Sequence, residues 1–260
     1  MKPDYLNPDN AARFQEEEVV ALYPLRPPYP SEIFTTLAAL ITDAPRTVLD
    51  VGTGRGEIAR FLAPYAERVD AVDVSEAMQN AGRQAPGGDA DNLHWIHGKI
   101  EEVELDPPFA LITGGSSLHW VEWEIAFARF ETLLTPNGYV AIINREMAEV
   151  PWYAAWRDLI NRFVTYTSRI DLIQTLMDRN LFTQVGEYRT QPMAFTQSIE
   201  DYVTAQHSYS SLARQSFKAN DSGVFDEELR AIVTPYATDN VLTLNVVGHV
   251  VWGKPHAAPA

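Results

Sequence analysis

Val48-Leu49-Asp50-Val51-Gly52-Thr53-Gly54-Arg55-Gly56-Glu57 sets an apolar run against a turn with glycine at every second position. The next apolar run, Arg68-Val69-Asp70-Ala71-Val72-Asp73, closes on a carboxylate. Glycines at such a turn let the backbone bend tightly and approach a ligand with no Cβ in the way. A helix after the turn would offer free N–H groups to the ligand's polar end. Asp73 lies 17 positions past Gly56 (56 to 73), near the spacing at which an acidic residue accepts both ribose hydroxyls. Together these stretches predict a nucleoside pocket at the carboxyl edge of a parallel sheet.

The glycine spacing narrows the nucleoside. Dinucleotide sites read G-x-G-x-x-G, the third glycine allowing close helix packing beside a pyrophosphate. Here the spacing is G-x-G-x-G, and Glu57 stands where that third glycine would be. A carboxylate meets a pyrophosphate poorly, so a nicotinamide dinucleotide is disfavoured.

Outward from this motif, strands and helices alternate. Asp9 to Leu22 reads as an amphipathic helix with an acidic face at Glu16, Glu17 and Glu18, broken by the prolines of Tyr23 to Pro30. A second helix is expected over Glu32 to Ile41 with Ser31 as its N-cap. Strands are expected at Thr47–Asp50, Arg68–Asp73, Asn92–His97, Phe109–Thr113 and Tyr139–Asn144. Helices are expected at Glu57–Tyr65, from Ser75 (a good N-cap) onward, and at Trp123–Leu134, where Thr135-Pro136-Asn137-Gly138 is the stop signal. Gln84 to Gly88 reads as a surface loop. Such alternation specifies a doubly wound, mostly parallel α/β sheet, whose ligands bind beyond the carboxyl ends of the strands where the winding reverses. Beyond it, helices are expected at Trp152–Tyr166, Asp171–Asn180 and Asp226–Val233, and a strand at Phe182–Tyr188. Pro192–Ser216 is mixed and aromatic, and Val241–Trp252 is a closing strand with Gly248 as a candidate bulge.

Composition excludes more than it identifies. The 260 residues carry a net charge of −15, which opposes a nucleic-acid backbone or an anionic membrane as partner. Absence of cysteine removes thiolate nucleophiles, cysteine zinc sites and disulfides together. Met1 to Tyr5 shows no basic-then-apolar leader and no apolar run reaches membrane length, so a cytoplasmic protein is expected. No metal site emerges from the scattered carboxylates.

Asp50-x-Gly52-x-Gly54-x-Gly56 resembles motif I of the class I S-adenosylmethionine-dependent methyltransferases. Thr113-Gly114-Gly115-Ser116-Ser117-Leu118-His119-Trp120 resembles the segment that small-molecule methyltransferases place beside the cofactor's methyl group, and Leu133 to Tyr139 resembles the family's L-L-x-P-G-G-x turn. The tyrosine-arginine-proline segment and Leu118-His119-Trp120 are similar to the trans-aconitate methyltransferase branch and its type-11 relatives. The resemblance implies a Rossmann-like sheet of seven strands with the last antiparallel, forming a single domain over 1–260. Within it, 1–45 would be an N-terminal helical lid, 46–145 the cofactor core, 146–240 helices with a cap insertion at 192–216, and 241–252 the closing strand. It implies S-adenosylmethionine as cofactor, held by Asp50, Gly52, Thr53, Gly54, Gly56, Asp73, Val74, Met78, Lys99, Ile100, Gly114 and Gly115. Two positions depart from the family pattern: Ala110 stands where strand four often begins with an acidic residue, and Lys99 where relatives often carry Asp for the adenine amino group.

Asp106-Pro107-Pro108-Phe109 spells a motif that grips planar amines when it follows strand four; here the apolar strand comes after it, so it reads as a turn. His119 is the candidate general base, because an imidazole titrates near neutrality; packing beside Trp120 is its alternative use. Tyr23, Tyr29, Trp120, Trp123 and Tyr209 are candidate walls of an acceptor pocket, each also a candidate core residue. Arg26, Arg145 and Arg214 could pair with an anionic acceptor, and His207 could face it. His94, His97 and His249 read as structural. The expected activity is methyl transfer to oxygen or nitrogen of a small molecule by a monomer or homodimer, with no nucleic acid or membrane partner. A cyclase or aminopropyl transferase on the same fold, or a non-catalytic S-adenosylmethionine-binding module, are the alternatives.

Overall fold

A computed structural model describes residues 6–164, 170–218 and 220–258, so Met1 to Tyr5 and the expected end of a helix at Tyr166 lie outside it. Its strands are β1 (Thr47–Val51), β2 (Arg68–Asp73), β3 (Leu93–His97), β4 (Phe109–Gly115), β5 (Leu134–Met147), β6 (Phe182–Arg189), β7 (Met193–Ser198) and β8 (Val241–Pro255). Its helices are α1 (Pro8–Ala12), α2 (Glu17–Leu22), α3 (Glu32–Leu40), α4 (Ala59–Leu62), α5 (Glu76–Arg83), α6 (Trp123–Leu133), α7 (Tyr153–Phe163), α8 (Leu172–Asp178), α9 (Ile199–Ala205) and α10 (Asp221–Val233).

The chain divides into two units. The larger comprises Pro30–Arg145, Ile170–Thr190 and Gly248–Ala260. Its sheet runs β3-β2-β1-β4-β5-β8-β6, with β1 parallel to β2 and β4, β2 parallel to β3, and β4 parallel to β5. β6 is antiparallel to β8. Every residue of β1 is buried, as expected for a strand covered on both faces. The winding reverses between β1 and β4, which places the reversal at the carboxyl end of the motif strand. Val48, Leu49, Val69, Ala71, Leu111 and Ile112 form the sheet's core, with Phe127 and Phe130 of α6 also buried.

The smaller unit comprises Met1–Tyr29, Glu146–Arg169 and Gln191–Val247. Leu159 and Ile160 of α7, Tyr202 of α9 and Phe225 and Leu229 of α10 pack with Trp152, Leu242 and Leu244 into its core. β7 pairs antiparallel with the first half of β8, from Met193↔Val246 to Ser198↔Val241.

Several expectations change in detail. The single helix over Asp9–Leu22 is two, because Glu16 is extended at φ −73° and ψ 130°. Ser31 precedes α3 but makes no side-chain cap, and α3, inside the expected 1–45 segment, belongs to the larger unit. α6 ends at Leu133, one residue before the expected end, because Leu134 pairs at once with Phe109, and Tyr139 then pairs with Leu111. Thr135 to Gly138 are thus an excursion within β5 rather than a separate turn. Gly248 is where β8 changes partner from β7 to β6; the bulge falls instead between Gln184 and Gly186 of β6.

Candidate functional site

The glycine turn follows β1. Gly52 sits at φ +64°, and a Cβ there would lie 2.4 Å from the Cβ of Ser117. Gly54 sits at φ +55°, but nothing lies within 4 Å of the Cβ it lacks. One glycine is therefore required by the protein's own packing, while the other borders open space that a ligand can use. Gly56 packs against the ring of Trp95. The Thr53 N–H donates to the carbonyl of Val72 at 3.0 Å and stitches the turn to β2. The helix expected from Glu57 begins only at Ala59 and holds four residues, so the turn's own backbone borders the opening.

Two carboxylates frame this turn. Asp50 is 1% exposed; its Oδ2 accepts from the Thr53 hydroxyl at 2.6 Å and its Oδ1 from the Thr113 hydroxyl at 2.7 Å. Burial pushes its pKa up to about 6, against the pull of those two hydroxyls. Asp50 thus clamps β1, the turn and β4 together, and the Thr53 hydroxyl is turned inward to it. Asp73 at the end of β2 accepts from the Gly54 N–H and the Ser75 N–H, each at 2.7 Å. Burial raises its pKa as well, opposed by these N–H bonds. Each Asp73 oxygen keeps a second lone pair, which suits two neighbouring hydroxyls of a ribose.

The other expected cofactor positions cluster at the same sheet edge with differing exposure. Val74 is 41% exposed, and its carbonyl lies 3.1 Å from Nε2 of His97. Met78 is buried, its N–H donating to the capping Ser75 hydroxyl at 3.2 Å. The Lys99 ammonium is exposed, 3.6 Å from Glu102, while Ile100 is buried and its carbonyl accepts from Arg129 at 2.7 Å. Gly114 and Gly115 end β4 opposite Ile142 and Ile143 of β5. Ser117 then folds back, donating its hydroxyl to the Val51 carbonyl. Sequence reasoning passed over Ser117, Thr113 and Trp95 as supports of the motif. For Thr113 and Ser117 the signal available was a hydroxyl at the end of the strand expected beside β1 and another just after it.

His119 is part-exposed in the turn after β4, with its ring centroid 5.0 Å from that of Trp120 and tilted by 46°. Trp123 is a core residue: its indole is buried and donates to the Leu118 carbonyl at 2.9 Å. Arg145 pairs with Glu57 at 3.0 Å. This explains the residue that replaced the third glycine: its carboxylate binds the end of β5.

In the smaller unit, Arg26 is 8% exposed. Its guanidinium carbon lies 4.1 Å from the ring centroids of both Tyr23 and Tyr209, and Nε donates to the Ser208 hydroxyl at 2.9 Å. Tyr29 is buried and Tyr209 is partly open to solvent. His207, expected as a candidate to face the acceptor, is wholly buried, with Nδ1 2.7 Å from the Leu212 carbonyl and Nε2 2.6 Å from Asp226. Arg214 is likewise engaged, pairing with Glu18 at 2.9 Å and Asp226 at 3.0 Å. Of the remaining histidines, His249 pairs with Glu187 at 3.0 Å and His94 lies 3.5 Å from Asp70. Among the described residues no group of three His, Asp or Glu side chains could hold a metal ion, and no helix is long and apolar enough to cross a membrane.

Residues 48–138, which contain the glycine turn, Asp73 and the end of β4, match the family described as "Methyltransferase domain". An uncharacterized methyltransferase of Schizosaccharomyces pombe is 25% identical over 83% of this chain and 87% of its own length. A trans-aconitate 2-methyltransferase of Mycobacterium tuberculosis is 31% identical over 45% of this chain, a stretch spanning 44% of that protein. Among solved structures, one described as a type II methyltransferase from Anaeromyxobacter dehalogenans superposes with a TM-score of 0.60 over 90% of this chain and 99% of that one. At 19% identity this is a likeness of fold.

Proposed function

We propose that this chain is a class I S-adenosylmethionine-dependent methyltransferase whose acceptor is a small molecule methylated on oxygen or nitrogen. The observation that carries this reading is the make-up of the segment after β4. Asp106-Pro107-Pro108 precedes that strand, and Asp106 is bound to Arg68 at 2.6 Å, so the amine-gripping tetrapeptide of nucleobase enzymes is out of place. In its position stands Gly115-Ser116-Ser117-Leu118, followed by the His119–Trp120 pair. The net charge of −15 opposes a nucleic-acid acceptor, and similarity to a relative named for trans-aconitate supports a small organic one.

When bound, S-adenosylmethionine supplies a methyl group on a positively charged sulfur, open to attack by a lone pair. The chain's part is mainly alignment, the largest lever for an in-line displacement. Asp73 has the acceptor oxygens to hold ribose hydroxyls, and the opening at Gly54 lets backbone approach the ligand closely. Gly114 makes room for Leu118, whose Cγ would lie 2.4 Å from a Cβ there, and Gly115, at the end of β4, would leave the methyl group unobstructed. His119 would take the proton of a hydroxyl acceptor as its oxygen attacks, or that of an ammonium acceptor beforehand, to free the nitrogen lone pair; a carboxylate acceptor has no proton to give.

Incubation with methyl-labelled S-adenosylmethionine and panels of small acids, phenols and amines, alongside RNA and DNA, tests the reading. Label is expected in a small molecule; label confined to nucleic acid would overturn it. On a hydroxyl or amine acceptor, His119→Ala should lower turnover by roughly 10²–10⁴ with cofactor affinity unchanged. On a carboxylate the loss should be smaller and independent of pH.

A further inference from the structure

Within the larger unit, β3 ends opposite Asp73 and leads into a turn, Gly98 to Val103. The Gly98 N–H donates to the Asp73 carbonyl at 2.9 Å, so the turn starts beside the residue expected to hold the ribose. It closes on itself, because the N–H groups of Glu102 and Val103 both reach the Lys99 carbonyl, at 2.9 and 3.0 Å. Three consecutive N–H groups, those of Lys99, Ile100 and Glu101, are left with no acceptor among the described residues. Ile100 is only 3% exposed, and a buried N–H ordinarily has a partner. A ribose at Asp73 would carry its base toward this turn.

α6 holds the turn in place. Its Arg129 is half-buried, a setting in which arginine is ordinarily paired, yet among the described residues no carboxylate lies within ion-pair distance of it. The guanidinium engages the turn instead: Nη1 donates to the Ile100 carbonyl at 2.7 Å and Nη2 to the Val103 carbonyl. The Glu101 carboxylate adds a second tie, accepting from the Glu122 N–H at 2.6 Å just before α6. A cation on a carbonyl polarises the whole peptide group. The Ile100 carbonyl shares its peptide with the Glu101 N–H, which becomes the stronger donor for it.

We propose that Arg129 is a positioning residue for the base of the cofactor, acting through the Ile100 and Val103 carbonyls to present the donors of this turn to a ring nitrogen of the purine. The proposal rests on S-adenosylmethionine as cofactor and extends its site to a side chain that touches no ligand itself. Purine ring nitrogens are acceptors, and the turn offers N–H groups in a row, so the two match in sign. Lysine in place of Arg129 would keep the charge but could not bridge two carbonyls in a fixed plane.

Calorimetry of the intact protein with S-adenosylhomocysteine, and with its analogues in which carbon replaces N1, N3 or N7, tests this. The wild type should bind the parent compound, and at least one analogue should bind about tenfold more weakly, the effect of one lost hydrogen bond. Arg129→Ala should weaken the parent by about tenfold and bind that analogue no worse than the parent, because the donor is no longer held. Arg129→Lys should fall between wild type and alanine. Glu124→Gln removes an ion pair with Arg179 on the same helix and should leave both affinities unchanged. Should Arg129→Ala fail to fold, the lysine variant decides: it must lose affinity for the parent and narrow the gap to the analogue. Equal affinity of the wild type for all these compounds, unchanged affinity in a folded Arg129→Ala, a weakened parent with the analogue gap intact, or the same loss in Glu124→Gln would each overturn the role of Arg129. No binding of S-adenosylhomocysteine by the wild type would instead fail the cofactor assignment beneath it.

Discussion

Asp50 in the larger unit takes its hydrogen bonds from two threonine hydroxyls, whereas Asp226 in the smaller unit takes its own from His207 and Arg214. The consequences are opposite in sign. Burial outweighs the neutral donors around Asp50 and lifts its pKa to about 6; Asp70 and Asp73 in the same unit are raised by burial too. Burial also acts on Asp226, but the histidine and arginine overcome it and hold the carboxyl below its usual value. Around the glycine turn, Asp50 is held by two hydroxyls and Asp73 by two backbone N–H groups, so among the described residues no lysine or arginine is paired with the Asp73 oxygens that a ribose would need. In the smaller unit Asp226 is neutralised by His207 and Arg214, while Arg26 has no carboxylate within ion-pair distance among the described residues.

The largest effect expected in the larger unit comes from the turn itself. Gly52→Ala combines a left-handed backbone, costing about 1–2 kcal/mol, with overpacking against Ser117, costing about 1–3 kcal/mol. Gly54→Ala carries only the backbone term, because its Cβ would enter open space. Denaturant melts should therefore rank Gly52→Ala well below Gly54→Ala in stability, while both variants lose cofactor affinity. Equal stabilities would break the distinction between a packing glycine and a ligand-facing one.

Next in size is the pH dependence that separates the units. Folding raises the Asp50 pKa from 3.8 to about 6, so the folded state holds its proton more tightly than the unfolded chain. Stability from this group then falls as pH rises from about 4 to 6, by roughly 3 kcal/mol once both states are ionised. Asp50→Asn should flatten that slope. Asp226 runs the other way: its contribution is present above pH 4 and is lost as pH falls through its depressed pKa. The penalty of Asp226→Asn should accordingly shrink on acidification. Melts of both variants from pH 3 to 7 check the signs, and parallel slopes would contradict the contrast.

The smallest effect concerns helix starts. Ser75 accepts from the Met78 N–H at 3.2 Å, whereas Ser31 makes no such bond. Ser75→Ala should cost about 1 kcal/mol and Ser31→Ala less than about half that, measured by thermal melts.

How much of this was legible in the sequence divides along the same line. In the larger unit, all-buried strands and glycine punctuation carry strong local signals, and β2 falls at the boundaries read from Arg68 to Asp73. What escaped there was tertiary: the hydroxyls of Thr113 and Ser117 act on β1 from 63 and 66 residues away. The role of Glu57 depended on Arg145, which lies 88 residues on. In the smaller unit, β7 was hidden because Met193–Ser198 is short and its pairing partners lie 43 (198 to 241) to 53 (193 to 246) residues later. His207 could be read as facing an acceptor because its partner Asp226 lies on α10, beyond the reach of any local pattern.

The central claim is that the opening at Gly54 beside Asp73 takes an adenosyl sulfonium and not a dinucleotide. Calorimetric titration of the wild type and of Asp73→Ala with S-adenosylmethionine and with NAD tests it directly. The wild type should bind S-adenosylmethionine and ignore NAD, and the variant, still folded, should lose about 1.5–3 kcal/mol of S-adenosylmethionine affinity. Micromolar NAD binding with no response to S-adenosylmethionine, or full affinity in a folded Asp73→Ala, would contradict the account.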